Sequence, residues 1–105
     1  MELKEFYARL KQLKIPIAYR CFEKKTSLPF GVYFVDYEDV RGADYKNLIN
    51  DKQIIFELYT ANKNIALENK FEDLFSEFEM EKYEAYIESE KMLQVAYHMN
   101  LITRR

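Results

Sequence analysis

Apolar residues recur every three or four positions in two parts of the chain, and this spacing predicts two amphipathic helices. The first covers residues 2–14 and ends before Pro16, because proline lacks the amide that a helix interior uses. The second covers residues 65–79, and its apolar stripe consists of Leu67, Phe71, Leu74, Phe75 and Phe78. Asn62 or Asn64 comes just before it and is expected to cap its free amides.

Alternation with a period of two predicts strands in the rest of the chain. The predicted strands cover residues 17–22, 30–37, 52–60, 83–87 and 93–102. A hairpin-like loop over residues 23–29 is expected to join the first two. The third is expected to be central, since Ile54, Phe56 and Leu58 share one of its faces. The short link around Ser89 predicts a hairpin between the last two.

The length of the chain, 105 residues, limits it to one domain, because two halves would each fall near the lower limit of about 50 residues for an independent core. A hydrophobic content of 49%, with 8 Phe and 9 Tyr, is enough to bury a real core. The order of elements therefore predicts a single α+β domain over residues 1–105. It has a mostly antiparallel sheet of about four to six strands, with both helices on one face.

Charge and cysteine content restrict the classes of function. The formal charge of −2 argues against sequence-independent nucleic-acid binding, which depends on neutralising many phosphates, and no specific nucleic-acid binding is expected. No apolar run reaches the roughly 18 residues of a membrane helix, and the first residues are too charged for a secretory signal. The single cysteine, Cys21, cannot form an intramolecular disulfide, so a cytosolic compartment is expected.

Candidate catalytic groups lack the partners that catalysis needs. His98 is the only histidine, and its place in an alternating strand predicts partial exposure instead of a triad or metal site. Cys21 occupies a position expected to face inward, which favours a buried, inert thiol. Gly31 and Gly42 are the only glycines, so no phosphate-binding glycine loop is expected. We therefore expect a protein that is not an enzyme and that has no cofactor.

Carboxylates are numerous but are not spaced as metal ligands. Asp36, Glu38, Asp39 and Asp44 lie close together, yet they do not match the twelve-residue calcium loop, and a solvated acidic loop is expected. Paired carboxylates of the glycosidase type remain open on spacing alone, although so small a chain leaves little material for a substrate cleft. The carboxylates of the second helix are expected to form its solvated outer face: Glu68, Glu72, Asp73, Glu77 and Glu79.

The tyrosine content predicts a surface that contacts other polypeptides. A sheet with one buried face cannot hold all of these rings, and exposed tyrosines are enriched at protein–protein contacts. The tyrosines concerned are Tyr33, Tyr37, Tyr45, Tyr59, Tyr83, Tyr86 and Tyr97. Residues 36–51 are expected to be a long polar excursion, with a short strand near residues 45–49.

Three motifs, in this order, carry a resemblance to a known group of proteins. They are Leu28-Pro29-Phe30-Gly31, the strand over residues 54–63 that ends in E-L-Y-T-x-N-K, and Tyr86-Ile87-Glu88-Ser89-Glu90. Together with the order of helices and strands over nearly the whole chain, they resemble the small neck and tail-completion proteins of long-tailed phages and prophages of Gram-positive bacteria. Within that group, the length and element order resemble the tail terminator family.

This resemblance implies a structural virion protein. Such a protein is a monomer in solution and assembles as a hexameric ring on the completed tail tube, where it stops polymerisation and joins the tail to the head connector. The implied partners are other copies of the chain, the tail-tube protein and the connector or stopper protein, with no cofactor. An acidic lining of the ring would repel passing DNA. The candidate contact element is residues 36–51, with the interface residues Asp36, Tyr37, Glu38, Asp39, Arg41, Asp44 and Tyr45.

Three alternatives stay open. The first is a different neck component, such as a stopper or head-completion protein. The second is a small phage-encoded regulator that binds a host protein through the same aromatic surface. The third is an enzyme, which requires a fold that places an acid beside His98 in an enclosed cleft.

Overall fold

The computed structural model describes residues 1–41 and 49–104, and the side chains of residues 1–36 and 52–101. Its elements are α1 Leu3–Leu10 with a 3-10 turn Lys11–Leu13, β1 Ile17–Tyr19, β2 Phe30–Arg41, β3 Ile49–Thr60, α2 Ile65–Leu74, β4 Met80–Ile87 and β5 Met92–Arg104. The strands form one five-stranded sheet in the order β1-β2-β3-β5-β4. Only the pair β1 and β2 is parallel. The α+β prediction, the central place of β3 and the hairpin between β4 and β5 are confirmed.

Both helices pack on one face of the sheet and form the core with it. Phe6 and Leu10 of α1 and Phe71 of α2 are completely buried and belong to one core cluster with the sheet residues Phe56 and Tyr97. The Phe71 ring lies with its centroid 4.6 Å from that of Phe56 and 4.4 Å from that of Tyr97. The apolar stripes of α1 and α2, predicted from the helical period, therefore cover the apolar face of the sheet, predicted from the alternation along its strands. The opposite face, which we call the helix-free face, carries no helix of the described chain.

The start of α2 agrees with the sequence, but its end does not. The Asn64 side chain accepts a hydrogen bond from the Leu67 amide at 3.1 Å, as an N-cap does. The helix ends at Leu74, five residues before the predicted end at position 79. There the Arg9 guanidinium of α1 donates to the Leu74 carbonyl at 2.9 Å and satisfies one of the acceptors that a helix end leaves open. Phe75 continues the apolar stripe as the first residue after the helix.

The predicted hairpin over residues 23–29 is wrong. Residues 17–19 pair in parallel with residues 31–33, so the connection has to return to the starting end of β1. β1 also ends earlier than predicted, at Tyr19, because Arg20 adopts a left-handed backbone conformation with φ 67°. Cys21 therefore follows the strand as an exposed residue, and the expectation of a buried thiol is wrong as well.

The predicted excursion over residues 36–51 is largely strand where the structure describes it. Residues 36–41 extend β2, and residues 49–51 begin β3. Pairing continues from Phe30 to Arg41 with one register shift between Val35 and Tyr37, which leaves Asp36 as a β-bulge. Acidic residues have a low strand propensity, but pairing with β3 overrides this propensity in residues 37–41 of β2. Residues 42–48, with Asp44 and Tyr45, lie outside the described residues.

Gly31 lies so close to the Phe56 ring that a residue with a side chain does not fit there. A Cβ atom at this position would lie 2.6 Å from Cε1 of Phe56 and 3.2 Å from Cδ1 of Ile17. The Phe56 ring is held by its stack on Phe71, so it cannot move aside without disturbing the core. We expect Gly31→Ala to lower the free energy of unfolding by about 1–3 kcal/mol through overpacking, measured by urea denaturation. An unchanged unfolding midpoint would contradict this close approach.

Neither helix of the described residues is long and apolar enough to cross a membrane.

Candidate protein interface

One edge of the sheet is formed by β4, which presents exposed aromatic side chains. The six residues between Met80 and Ile87 are all exposed. Tyr83 is 53% exposed and Tyr86 is 55% exposed. β4 pairs with β5 on its inner side only, so the backbone groups on its outer side have no strand partner among the described strands. Such an edge is a template for pairing with another polypeptide.

A network of charged groups fixes β4 to α2. Glu68 of α2 is only 2% exposed, and its Oε1 lies 2.8 Å from Nζ of Lys82 on β4 and 2.9 Å from Nζ of Lys63. Lys82 also lies 2.8 Å from the Glu72 carboxylate, and Lys63 forms a second ion pair with Glu84 of β4. These ion pairs tie β4 to α2, in addition to its pairing with β5 and the packing of Met80 against the core.

The burial of Glu68 corrects the expectation that all the carboxylates of α2 are solvated. Its position lies between the apolar stripe and the outer face, beneath the two lysines. Burial by itself would raise the pKa of the Glu68 carboxyl, but hydrogen bonds and charge from Lys82 and Lys63 outweigh it, and the pKa lies below its ordinary value. The second oxygen, Oε2, is buried without a hydrogen-bond partner in the described chain.

Tyr97 connects the same network to the core. Its ring is completely buried, while its hydroxyl donates to Oε2 of Glu72 at 2.8 Å. Burial, followed by this hydrogen bond, raises the pKa of the Tyr97 hydroxyl. The side chain is thus a core residue with a satisfied polar end, as buried tyrosines usually are.

The opposite edge of the sheet is only partly covered. β1 pairs with just three residues of β2 and stops at Tyr19. Next to it, the Val35 amide donates to the Tyr19 hydroxyl, and the Arg20 guanidinium donates to the Val35 carbonyl, both at 3.4 Å. Beyond Val35, no described strand pairs with β2 on this side.

Most of the predicted interface residues fall on this open part of β2. Asp36 is exposed at the bulge, and Tyr37, Glu38, Asp39 and Arg41 follow it in the strand. Asp44 and Tyr45 lie outside the described residues. The sequence predicted an irregular loop here, whereas the structure has a strand, and the role of these residues as an interface stays a prediction.

Some of the described tyrosines are buried and others are exposed, as the sequence predicted for a sheet with one buried face. Tyr33 and Tyr97 are buried in the core, Tyr59 is half-buried, and Tyr83 and Tyr86 are exposed on β4. The side chain of Tyr37 and the whole of Tyr45 lie outside the described residues. The sequence did not single out Tyr19, which is exposed at the other edge.

His98 lies beside an open hollow of about 380 Å³. The hollow is also lined by the acids Glu79 and Glu81, but the Tyr83 hydroxyl donates to Glu81 at 2.6 Å, and the His98 ring meets the edge of Tyr83. The histidine is partly exposed, as expected, and Cys21 does not line the hollow. The described residues contain no group of three or more His, Cys, Asp or Glu that could hold a metal.

Comparison with known proteins gives a fold. No family model and no curated protein matches the sequence. Among solved structures, a chain of the virion of a native gene transfer agent particle is similar, with a TM-score of 0.59 and 10% sequence identity. The similarity covers 94% of this chain and 91% of that chain, so the two share one fold over nearly their full lengths.

Proposed function

We propose that this protein is a structural component of a phage-like virion, placed in the head–tail neck as a tail terminator. In this role it forms a ring, hexameric by the resemblance, on the end of the tail tube, stops its growth and offers a surface to the head connector or stopper. Before assembly it is a monomer in the host cytoplasm. It acts by binding proteins and performs no catalysis.

The observation that carries the proposal is the shared fold with a chain of a gene transfer agent virion, which runs over nearly the full length of both chains. The sequence motifs Leu28-Pro29-Phe30-Gly31 and Tyr86-Ile87-Glu88-Ser89-Glu90 point independently to neck proteins of tailed phages. Because Phe30 and Gly31 open β2, while Tyr86 and Ile87 end β4, these motifs lie near the two edges of the sheet.

The two edges give the proposal a mechanism. A ring of identical subunits needs two different surfaces that meet head to tail and close by rotation. β4 and the open part of β2 lie at opposite sides of the same sheet, so each copy can offer one edge to each neighbour. In the monomer, the charges on these edges oppose uncontrolled pairing, since charged side chains protect exposed strands. The tail tube then supplies the template on which the edges meet.

Deletion of the gene tests this function. The expected result is particles whose tails vary in length and lack heads, because tube growth is not stopped and the connector has no seat. Complementation by the wild-type chain restores tails of one length, seen by negative-stain electron microscopy. Tails of normal length that fail to join heads would instead indicate a stopper or head-completion protein. Normal particles with an altered host response would indicate a regulator.

A further inference from the structure

The segments at the two outer edges of the sheet carry opposite charge. Residues 3–20, which run from the start of α1 to the residue after β1, contain five basic residues and one acidic residue. Residues 79–90, which contain β4 and the turn after it, contain five acidic residues and one basic residue. The formal charges of the two segments are therefore +4 and −4, although the whole chain carries only −2.

The side of α1 that carries Lys11 faces the β1 edge. The Lys11 ammonium lies 5.0 Å from the centre of the Tyr7 ring. That ring stacks on Tyr33, which in turn makes an edge-to-face contact with Tyr19 of β1. Arg9, elsewhere on the helix, donates instead to α2. Lys11 therefore lies toward β1, on the side of α1 away from α2.

Two lysines at this edge carry charge that is free to meet a partner. Lys14 follows the 3-10 turn and leads through residues 15–16 into β1. Lys11 and Lys14 are both exposed, and neither forms an ion pair with another described residue. Arg20, at the other end of β1, already donates to the Val35 carbonyl, so the contact proposed below does not use it.

The β4 edge offers the complementary charge beside exposed aromatic rings. Glu79 precedes β4 and Glu88 follows it. Both are exposed, and neither forms an ion pair within the part of the chain that the structure describes. Tyr83 and Tyr86 lie between them and are each more than half exposed.

The two charged edges cannot meet within one molecule. β1 and β4 are the outermost strands of the sheet, with three strands between them. Neighbouring strands lie about 4.8 Å apart, so roughly 19 Å of sheet separates the two edges. An ion pair between these edges therefore needs a second molecule.

We propose that the acidic β4 edge of one copy of the chain binds the basic β1 edge of a second copy. The acids that flank β4 meet Lys11 and Lys14, and its tyrosines meet Tyr19, which is 42% exposed. A second copy is the favoured partner because each chain carries the complement of its own free edge in equal amount. The two surfaces differ, so the contact is heterologous and can close into a ring. This inference rests on the proposed ring-forming function, for which it names the surfaces in contact.

Charge exchange between two variants tests the contact. Lys11→Glu/Lys14→Glu reverses the basic edge, and Glu79→Lys/Glu88→Lys reverses the acidic edge. Each variant alone is expected to form rings on tail tubes at least about tenfold more weakly than the wild type, because like charges then face each other. An equal mixture of the two should regain ring formation, since every contact between unlike variants is again complementary.

A matched control reverses the same number of charges away from both edges. Lys24 and Lys25 are exposed and line a groove over the middle of the sheet, beside Tyr59 of β3 and Met92 of β5. Lys24→Glu/Lys25→Glu should therefore leave ring formation nearly unchanged. Circular dichroism checks that every variant is folded.

Zero-length cross-linking detects the contact directly. A carbodiimide joins a lysine to a carboxylate only where the two groups touch, and a mixture of isotope-labelled and unlabelled chains shows which joins lie between copies. Joins between copies are expected from Lys11 or Lys14 to Glu79 or Glu88. Lys70, an exposed lysine of α2, is the control and should not join copies.

The outcomes separate the contact from the function. Full ring formation by either charge-reversed variant alone, or no regain in the mixture, would overturn the edge-to-edge contact and leave the terminator role standing. Joins between copies in concentrated solution, with tail tubes that are never capped, would support the contact and remove the terminator role. Joins from Lys11 or Lys14 to the tail-tube protein instead would overturn the contact, because the tube would then be the partner of the basic edge.

Discussion

Replacing Lys82 by methionine is expected to lower the free energy of unfolding by about 3 kcal/mol, because it leaves the buried Glu68 carboxylate without one of its two cations. Glu68 is only 2% exposed, and Lys82 lies 2.8 Å from its Oε1. Lys82 also pairs with Glu72, so one substitution removes two ion pairs between α2 and β4. Urea denaturation followed by circular dichroism measures the change.

A compensating pair distinguishes a buried charge from simple loss of contact. Glu68→Leu/Lys82→Met removes both members, and it is expected to be less destabilised than Lys82→Met alone, because no carboxylate stays buried with only one of its two cations. Lys70 is an exposed lysine on α2, the helix that carries Glu68. Lys70→Met is therefore the matched control and should change stability by less than about 0.5 kcal/mol. A double variant less stable than Lys82→Met would contradict the network.

The same network predicts a dependence on pH. The pKa values of Glu68 and Glu72 lie below the ordinary value of 4.5 in the folded protein, although burial opposes this, because the lysines favour the ionised forms. Their contribution to stability is therefore present above about pH 4.5 and is lost as the pH falls through the lowered pKa values. The deficit of Lys82→Met should shrink in this acidic range. A constant deficit would contradict the assignment.

Replacing both exposed tyrosines of β4, Tyr83→Ser/Tyr86→Ser, is expected to weaken ring formation on tail tubes at least about tenfold, since tyrosines at the centre of an interface carry much of the binding energy. Both rings are more than half exposed, so the folded monomer should keep nearly its full stability. Capped tubes counted by electron microscopy at increasing protein concentration give the measurement.

Ile65→Ser provides the control for this prediction. Ile65 is also a large exposed apolar residue, 61% exposed, but it lies at the start of α2 and not on β4. It should leave capping unchanged. Equal loss of capping in both variants would show that any exposed apolar group contributes, and would remove the special role of β4.

The sequence predicted the parts of the fold that depend on periodic burial. The stripe containing Phe71 and Phe75 and the alternation through Ile54 and Phe56 gave the helices, the central strand and the shared core. The N-cap could be limited to Asn62 or Asn64, of which the structure shows Asn64, because capping depends on neighbours in the chain. In each case the deciding contact is local or repeats along one element.

The errors arose where the deciding partner is distant in sequence. Glu68 is buried because Lys82 of β4 lies above it, and nothing in the pattern of α2 indicates that lysine. Cys21 is exposed because Arg20 breaks the strand, and the alternation of residues 17–22 does not show that break. Residues 36–41 form a strand because β3 pairs with them, despite their acidic composition. For the candidate interface, the predicted loop was therefore wrong in its form, and its role as a contact segment stays a prediction.

If the protein is a structural component of a virion, as we propose, it is present in purified particles, and their protein content tests this most directly. Particles induced from the strain that carries the gene are purified by density and analysed by quantitative mass spectrometry. The account predicts that the polypeptide is present in a small fixed number per particle, in keeping with one ring. Its absence from particles, while it is abundant in the soluble lysate, would contradict the account.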